Sequence, residues 1–530
     1  MLGLELVVIL GLALLAAGLL ANRLHVAPPV PQLALGILIG FVPALRGVQL
    51  PPQIVLLLFL PALLYWESLT TSLHMIRSNL RIVVLMATVL VLATAAAAAV
   101  AAHAFGLPWA PAWVLGAAIA PTDATAVGVL ARALPRRTMS VLKAESLVND
   151  GTALVIYGLA VGITVGEEHL SAPHVTWLVV VAFGGGALAG VIVAYAGMWL
   201  RRRLTDPLME NVAVVVIPFT AYLLAESIEA SGVLAVVICG LIISQAGPRI
   251  GHAATRQQAT AFWTLATYLL NGALFVLIGL QVQSSVRGLT SATLTQGLIA
   301  VGIVSGAVVG ARFLWLFTTP YIIRTLDRRP QQRARRVGAR PRVVNGVSGF
   351  RGAVSLAAAL AVPHTVASGA AFPGRDLIIF IVTGVIVVTL AGQALLLPMV
   401  IRWARLPADN ADRVERRLAD TTATEEALAA LPQMAARLHI DPEVLERVRQ
   451  EFERRIHVLH ADEGELDDDD ESAARHDQQY TALRRATIAH KRATVTRLRD
   501  EGRIDDGVMR RVHNRLDFEE MRLGRPPSPA

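Results

Sequence analysis

Cysteine is almost absent from this chain: of 530 residues, only Cys239 is one. No disulfide can form within a single chain, and the apolar run around it (VLAVVICGLIIS) marks a small packed side chain. Charge is scarce too. Only 17% of residues are charged, where soluble domains carry about 25%; that excludes an ordinary water-soluble globule. No Walker-type phosphate loop is present, so nothing implies ATP. The first segment (LGLELVVILGLALLAAGLL) lacks the basic n-region of a secretory signal and carries Glu5 instead, so it reads as a retained span.

What fills the chain is apolar: 54% of residues are hydrophobic and the mean hydropathy is +0.54. A helix needs about 20 apolar residues to cross a bilayer. On that rule thirteen spans are expected, near 2–21, 28–45, 53–71, 80–104, 111–131, 142–164, 174–200, 207–227, 230–247, 259–283, 292–319, 346–365 and 375–401. The net charge of +8 does not imply nucleic acid, because its arginines cluster between spans. Alternate loops hold about 20 basic residues (Arg23; Arg77, Arg81; Arg132, Arg136, Arg137, Lys143; Arg201 to Arg203; Arg249, Arg256; eight from Arg324 to Arg342). The opposite loops hold only Arg46, Arg287 and Arg375. By the positive-inside rule the amino terminus lies outside and the carboxyl terminus in the cytoplasm. A membrane domain is thus expected over 1–405 and a cytoplasmic helical domain over 406–530. In the latter, about four amphipathic helices are expected, one placing Val444, Leu445, Val448, Phe452, Ile456 and Leu459 near one stripe. The acidic run EGELDDDDE reads as a solvated linker, with a cation or regulator site as the sharper alternative.

Ionisable groups at membrane depth are expensive, so each is a functional hypothesis. In KAESLVNDGTALV, Glu145 and Asn149 are helical i, i+4 neighbours, as are Ser146 and Asp150. Glu145 and Asp150 stand roughly 140° apart around that helix. Two jobs follow: one carboxylate neutralised by a fixed cation, the other open to something mobile. In LGAAIAPTDATAVGVLA, Pro121 breaks the helix before Thr122, Asp123 and Thr125. Such a break offers backbone oxygens to a cation; the alternative is a plain proline kink with Asp123 capping the next half-helix. In VVNGVSGFRGAVSLAAALAVP, three glycines permit a second break, and Arg351 lies inside the apolar stretch. Arg351 either snorkels at the span end or pairs with Glu145. Two broken spans in corresponding places of the two halves fit an inverted-repeat transporter with a midplane site.

Four stretches in order, PTDATAV, ESLVNDGTALV, LNGALFVLIGLQV and FRGAVSLAAALAVP, resemble the cation:proton antiporter-1 family, bacterial sodium/proton antiporters related to animal exchangers. The resemblance covers about residues 1–405. It implies an all-α membrane fold with inverted repeats and two broken helices, a homodimer in the plasma membrane, and a moving core of spans 4–6 and 11–13. It implies exchange of sodium or lithium for protons, both ions competing for Asp150, with no cofactor. Thr122, Asp123 and Ser146 would form or orient the ion site, with Thr122 and Ser146 joining Asp150 on the metal ion, while Asn149 organises it and Glu145 pairs with Arg351. An asparagine before the aspartate is the family's mark of electroneutral exchange. One departure is visible: many relatives carry glutamate directly after the aromatic of FLPALLYWESL, where this chain has Trp66 and then Glu67. Glu67, about 100° further round, is therefore expected outside the site. A potassium/proton antiporter is the near alternative and a cation channel a more distant one. An intramembrane aspartyl protease using Asp123 and Asp150 lacks the glycine–x–glycine–aspartate pattern it needs.

Overall fold

The computed structural model describes residues 2–43, 52–124, 134–166, 171–246, 253–326, 338–406, 411–461, 468–501, 503 and 506–523. Thr125, Arg46, Arg132, Arg249 and the arginines between 328 and 336 lie outside the described residues, as do the side chains of the acidic run. Among the described residues no strand is present and the regular elements are helices. The chain divides into two compact units, Met1–Asp409 and Asn410–Ala530.

The first unit begins with α1 (Leu2–Leu24) and α2 (Pro29–Ile39). Then come α3 (52–70), with a π-helical turn at Val55–Phe59, and the short α4 (Leu73–Ser78). They are followed by α5 (Leu80–Ala104), α6 (Trp109–Ile119), α7 (Arg136–Val165) and α8 (Pro173–Arg203). Next are α9 (Pro207–Glu226), α10 (Gly232–Ala246), α11 (Ala253–Gly288) and α12 (Leu294–Leu326). The unit ends with α13 (Ala339–Val347), α14 (Ala353–Leu360) and α15 (Arg375–Ala404). Eight of these are long and apolar enough to cross a membrane, while the helices at Pro29–Ile39, Val55–Thr70, Trp109–Ile119 and Gly232–Ala246 are apolar but shorter. The shortness of two has a local cause. α6 stops at Ile119 because Pro121 has no backbone donor. α14 covers only Ala353–Leu360 of the expected span 346–365, because the stretch 349–352 that follows α13 is unwound. Outward faces such as Leu4, Leu15 and Leu19 of α1 are exposed apolar surface, as lipid contact requires.

Side chains pack into two large clusters. One joins α5, α6, α7, α12, α14 and α15, with Phe275 and Ile278 of α11. The other joins α3, α8, α9 and α10, with Leu147 of α7 and Trp263 of α11. Helix α7 thus contributes to both. A buried Arg201–Glu210 pair (2.8 Å), with Thr255 Oγ1 donating to Glu210 Oε2 (2.7 Å), ties the α8–α9 turn to the start of α11. Helices α2 and α11 cross at the closest range glycine permits. A Cβ on Gly36 would stand 2.1 Å from the carbonyl oxygen of Val276.

The second unit holds α16 (Ala411–Leu438), α17 (Pro442–Ala461), α18 (Asp468–Asp500) and α19 (Asp506–Arg522). On α17, Leu445, Val448, Phe452, Ile456 and Leu459 are partly buried as the stripe requires, but Val444 is 46% exposed. It lies in the first turn of the helix, which begins at Pro442. Arg484 and Lys491 of α18 reach Glu519 of α19 at 3.4 and 3.6 Å, and Arg492 meets Asp517 and Glu520. These acidic partners hold the Arg492 guanidinium above its ordinary range; exposed pairs of this kind fix geometry more than they stabilise.

Gly36→Ala forces α2 and α11 apart at a backbone contact. The expected loss is about 1–3 kcal/mol, the usual range for overpacking. It is read as a lowered melting temperature of the detergent-solubilised protein; an unchanged value would deny the close crossing.

Candidate functional site

The site is built on α7 and on the two interruptions. Glu145, Ser146, Asn149 and Asp150 are all buried on α7, Glu145 at 1% and Asp150 at 6% exposure. Around Pro121 the backbone of 120–124 is non-helical, and it meets the second interruption directly: the Asp123 amide donates to the carbonyl of Phe350 (2.9 Å). Glycine is required opposite, because a Cβ on Gly352 would fall 2.1 Å from Asp123 Oδ2. The half-helix expected to resume after Thr125 lies outside the described residues.

Thr122 knits the first interruption to α7. Its hydroxyl accepts from Asn149 Nδ2 (2.6 Å) and donates to Glu145 Oε1 (3.4 Å). One residue on, the amide of Ala124 donates to Ser146 Oγ (3.3 Å). These bonds satisfy polar groups that water would otherwise have to reach.

The expected pairing of Glu145 with Arg351 is corrected. Glu145 is held by Arg312 of α12, whose two terminal nitrogens donate to Oε1 (2.5 Å) and Oε2 (3.1 Å). Arg312 also donates to the side chain (2.8 Å) and backbone carbonyl (3.1 Å) of Asn345 at the end of α13. Arg351 instead donates to backbone carbonyls, to Ile119 at the end of α6 (3.0 Å) and to Gly349. The physical reason is local: a broken helix leaves carbonyls without partners, and a guanidinium five donors wide caps them where no amide can. Arg312 sits inside an expected span and was counted with neither loop set. That position was the available signal.

Asp150 is placed differently. Among the described residues its side chain makes no ion pair and no hydrogen bond. It faces a cavity of about 50 Å³, with room for a few water-sized ligands. Thr122, Asp123 and Ser146 line the same cavity; Asn149 and Glu145 do not, and stand behind it. Asn271, Ser355 and Glu67 also line it. Glu67 was expected to point away. Trp66 stacks on Trp263 of α11 (6.2 Å between centroids), which leaves the neighbouring face of α3 for Glu67. The spacing Leu56, Leu60, Leu63, Glu67 along one helical face was the signal for it. Among the described residues, no three His, Cys, Asp or Glu side chains converge as a resident metal site needs. The lining is instead a loose set of hard oxygens with two carboxylates besides Asp150, suited to holding a small cation briefly.

Three comparisons bear on this geometry. The profile of the family described as "Sodium/hydrogen exchanger, transmembrane" matches residues 9–403. An uncharacterized Na(+)/H(+) exchanger of Mycobacterium tuberculosis is 41% identical over 98% of this chain and 96% of its own length. A sodium, potassium, lithium and rubidium/H(+) antiporter of Bacillus pumilus is 32% identical over 74% of this chain and 61% of its own. Among solved structures, the sodium/proton antiporter MjNhaP1 of Methanocaldococcus jannaschii superimposes with a TM-score of 0.59 at 20% identity, over 76% of this chain and 99% of that one, which establishes a shared fold.

Arg312→Ala strands the buried Glu145 and is expected to cost about 3–5 kcal/mol of stability. A double-mutant cycle with Glu145→Gln should return a coupling of about 0.5–3 kcal/mol for Arg312 and close to none for Arg351. Equal coupling for both arginines would restore the original pairing.

Proposed function

The chain belongs to the sodium/hydrogen exchanger family, and on that premise we propose that it exchanges sodium or lithium for protons across the plasma membrane, both ions competing for Asp150. The observation that carries this reading is the contrast on α7. Glu145 has a fixed cation, and Asp150, buried in the same helix, has none among the described residues. An ionised carboxylate at membrane depth costs about 2.5–3.5 kcal/mol on insertion scales. A proton or an alkali cation removes that cost equally well. Either loaded form then crosses the barrier about a hundredfold faster than the empty, charged one, and obligatory exchange follows.

Thr122, Asp123 and Ser146 supply oxygens beside Asp150, and Glu67, Asn271 and Ser355 complete the lining. Asn149 acts through Thr122, whose hydroxyl it orients. With asparagine rather than a second aspartate at 149, one positive charge moves each way and exchange is electroneutral. The chain works as a homodimer, with its amino terminus outside and its carboxyl terminus in the cytoplasm. A broader cation range that includes potassium is the second reading; it is favoured by the relative from Bacillus pumilus, whose name includes potassium and rubidium.

Asp150→Asn is expected to abolish exchange while leaving a folded protein. Proteoliposomes with an imposed proton gradient and an internal pH dye check this, with sodium, lithium and potassium added in turn. Wild-type rates in the variant would remove the mechanism, and a potassium response equal to sodium would select the second reading.

A further inference from the structure

A second cavity opens toward the arginine-poor end of the membrane unit. Gln53, Gln281, Ser284, His364, Arg375 and Asp376 give it a polar wall. Among the described residues, it and the ion cavity share one lining residue, Leu56. Among the described residues, α11 and α14 both border the two spaces in the same order. On α11, Asn271, Leu274 and Phe275 face the ion cavity and Gln281 the outer one, with buried Ile278 between. On α14, Ser355 faces the ion cavity and Leu360 the outer one, with Leu356 and Ala357 buried between. At 1.5 Å per residue the dry layer is roughly 8–9 Å thick. On its ion-cavity side lies an apolar cluster of Val55, Leu274 and Ala357, against which Leu56 and Phe59 pack.

Leu56 also sits in the π-helical turn of α3, Val55–Phe59. A π turn carries one residue more than an α turn and is frequent at functional sites; α5 (Met86–Leu90) and α8 (Val181–Gly185) hold one each as well, but only that of α3 lies between the two cavities. The extra residue sits within the helix without ending it, since α3 runs on to Thr70.

We propose that Leu56 is the seal between the ion cavity and the outer vestibule, and that the π turn of α3 is the device that withdraws it. This rests on the exchange reading for its purpose, but not for its test. Closed, the Leu56 side chain fills the gap against Ala357 and Leu274 and no chain of water joins the two spaces. Withdrawn, it connects Asp150 to the outer vestibule. The seal is apolar, so it blocks protons as well as cations, as a coupled exchanger requires.

The test is thiol accessibility in sealed vesicles of the full-length protein carrying Cys239→Ala. Single cysteines are placed at Gln53→Cys and Ser355→Cys, and a membrane-impermeant maleimide is applied from the side on which Gln53→Cys reacts. With Leu56 in place, Ser355→Cys should react at least tenfold more slowly than Gln53→Cys. Adding Leu56→Ala should bring the two rates within about threefold, and Leu56→Met should restore the difference. Equal rates with Leu56 in place, or a Leu56→Ala protein in which Ser355→Cys stays protected, overturns the proposal. The first comparison needs no substitution at Leu56, so it decides even if Leu56→Ala fails to fold. No transport is measured. A protein that shows this boundary yet exchanges no cation for protons keeps the seal and loses the exchange reading.

Discussion

Two carboxylates on one buried helix cannot both be left charged and alone, and the membrane unit is organised around how that conflict is divided. Arg312 reaches across from α12 and closes both oxygens of Glu145. Asp150 receives no such partner among the described residues and is turned into a cavity. A buried pair is weak evidence for stability, because desolvation offsets most of its attraction. Its value here is positional. The Glu145–Arg312–Asn345 chain fixes α7, α12 and α13 relative to one another, so the unpartnered group one turn on is held in a defined place.

The two helix interruptions depend on the same economy of polar groups. Each break frees carbonyls and amides where no water is at hand. The structure spends them on each other: Asp123 amide on Phe350 carbonyl, Arg351 on the carbonyls of Ile119 and Gly349, Ala124 amide on Ser146. The breaks can therefore touch, with Gly352 as the point where no side chain fits. Oxygen-bearing side chains of Thr122, Asp123, Ser146 and Asp150 converge on one small space.

Much of this was legible beforehand. Helical arithmetic on Glu145, Asn149 and Asp150 separated a carboxylate needing a fixed cation from one without. Pro121 marked one break, and the glycines around Arg351 marked the other. What failed was partner choice across long sequence separations. Arg351 was the nearer motif, but the guanidinium that reaches Glu145 comes from residue 312, in the middle of a span whose arginine looked incidental. Glu67 failed for a related reason. Counting 100° from Trp66 assumes that the aromatic faces the site, and stacking on Trp263 turns it elsewhere. Local periodicity places residues on faces; which face meets which is set by packing that no window of sequence contains.

The central claim is that one side chain, Asp150, holds either a proton or an alkali cation and never both. It is tested most directly by measuring the half-saturating sodium concentration of exchange as a function of pH, on the acid side where protons occupy the site. Competition requires that each unit fall in pH raise that concentration about tenfold while the maximal rate holds, since the two ligands exclude each other at one group. A half-saturating concentration that stays constant while the maximal rate falls would place proton and cation on separate groups and contradict the account.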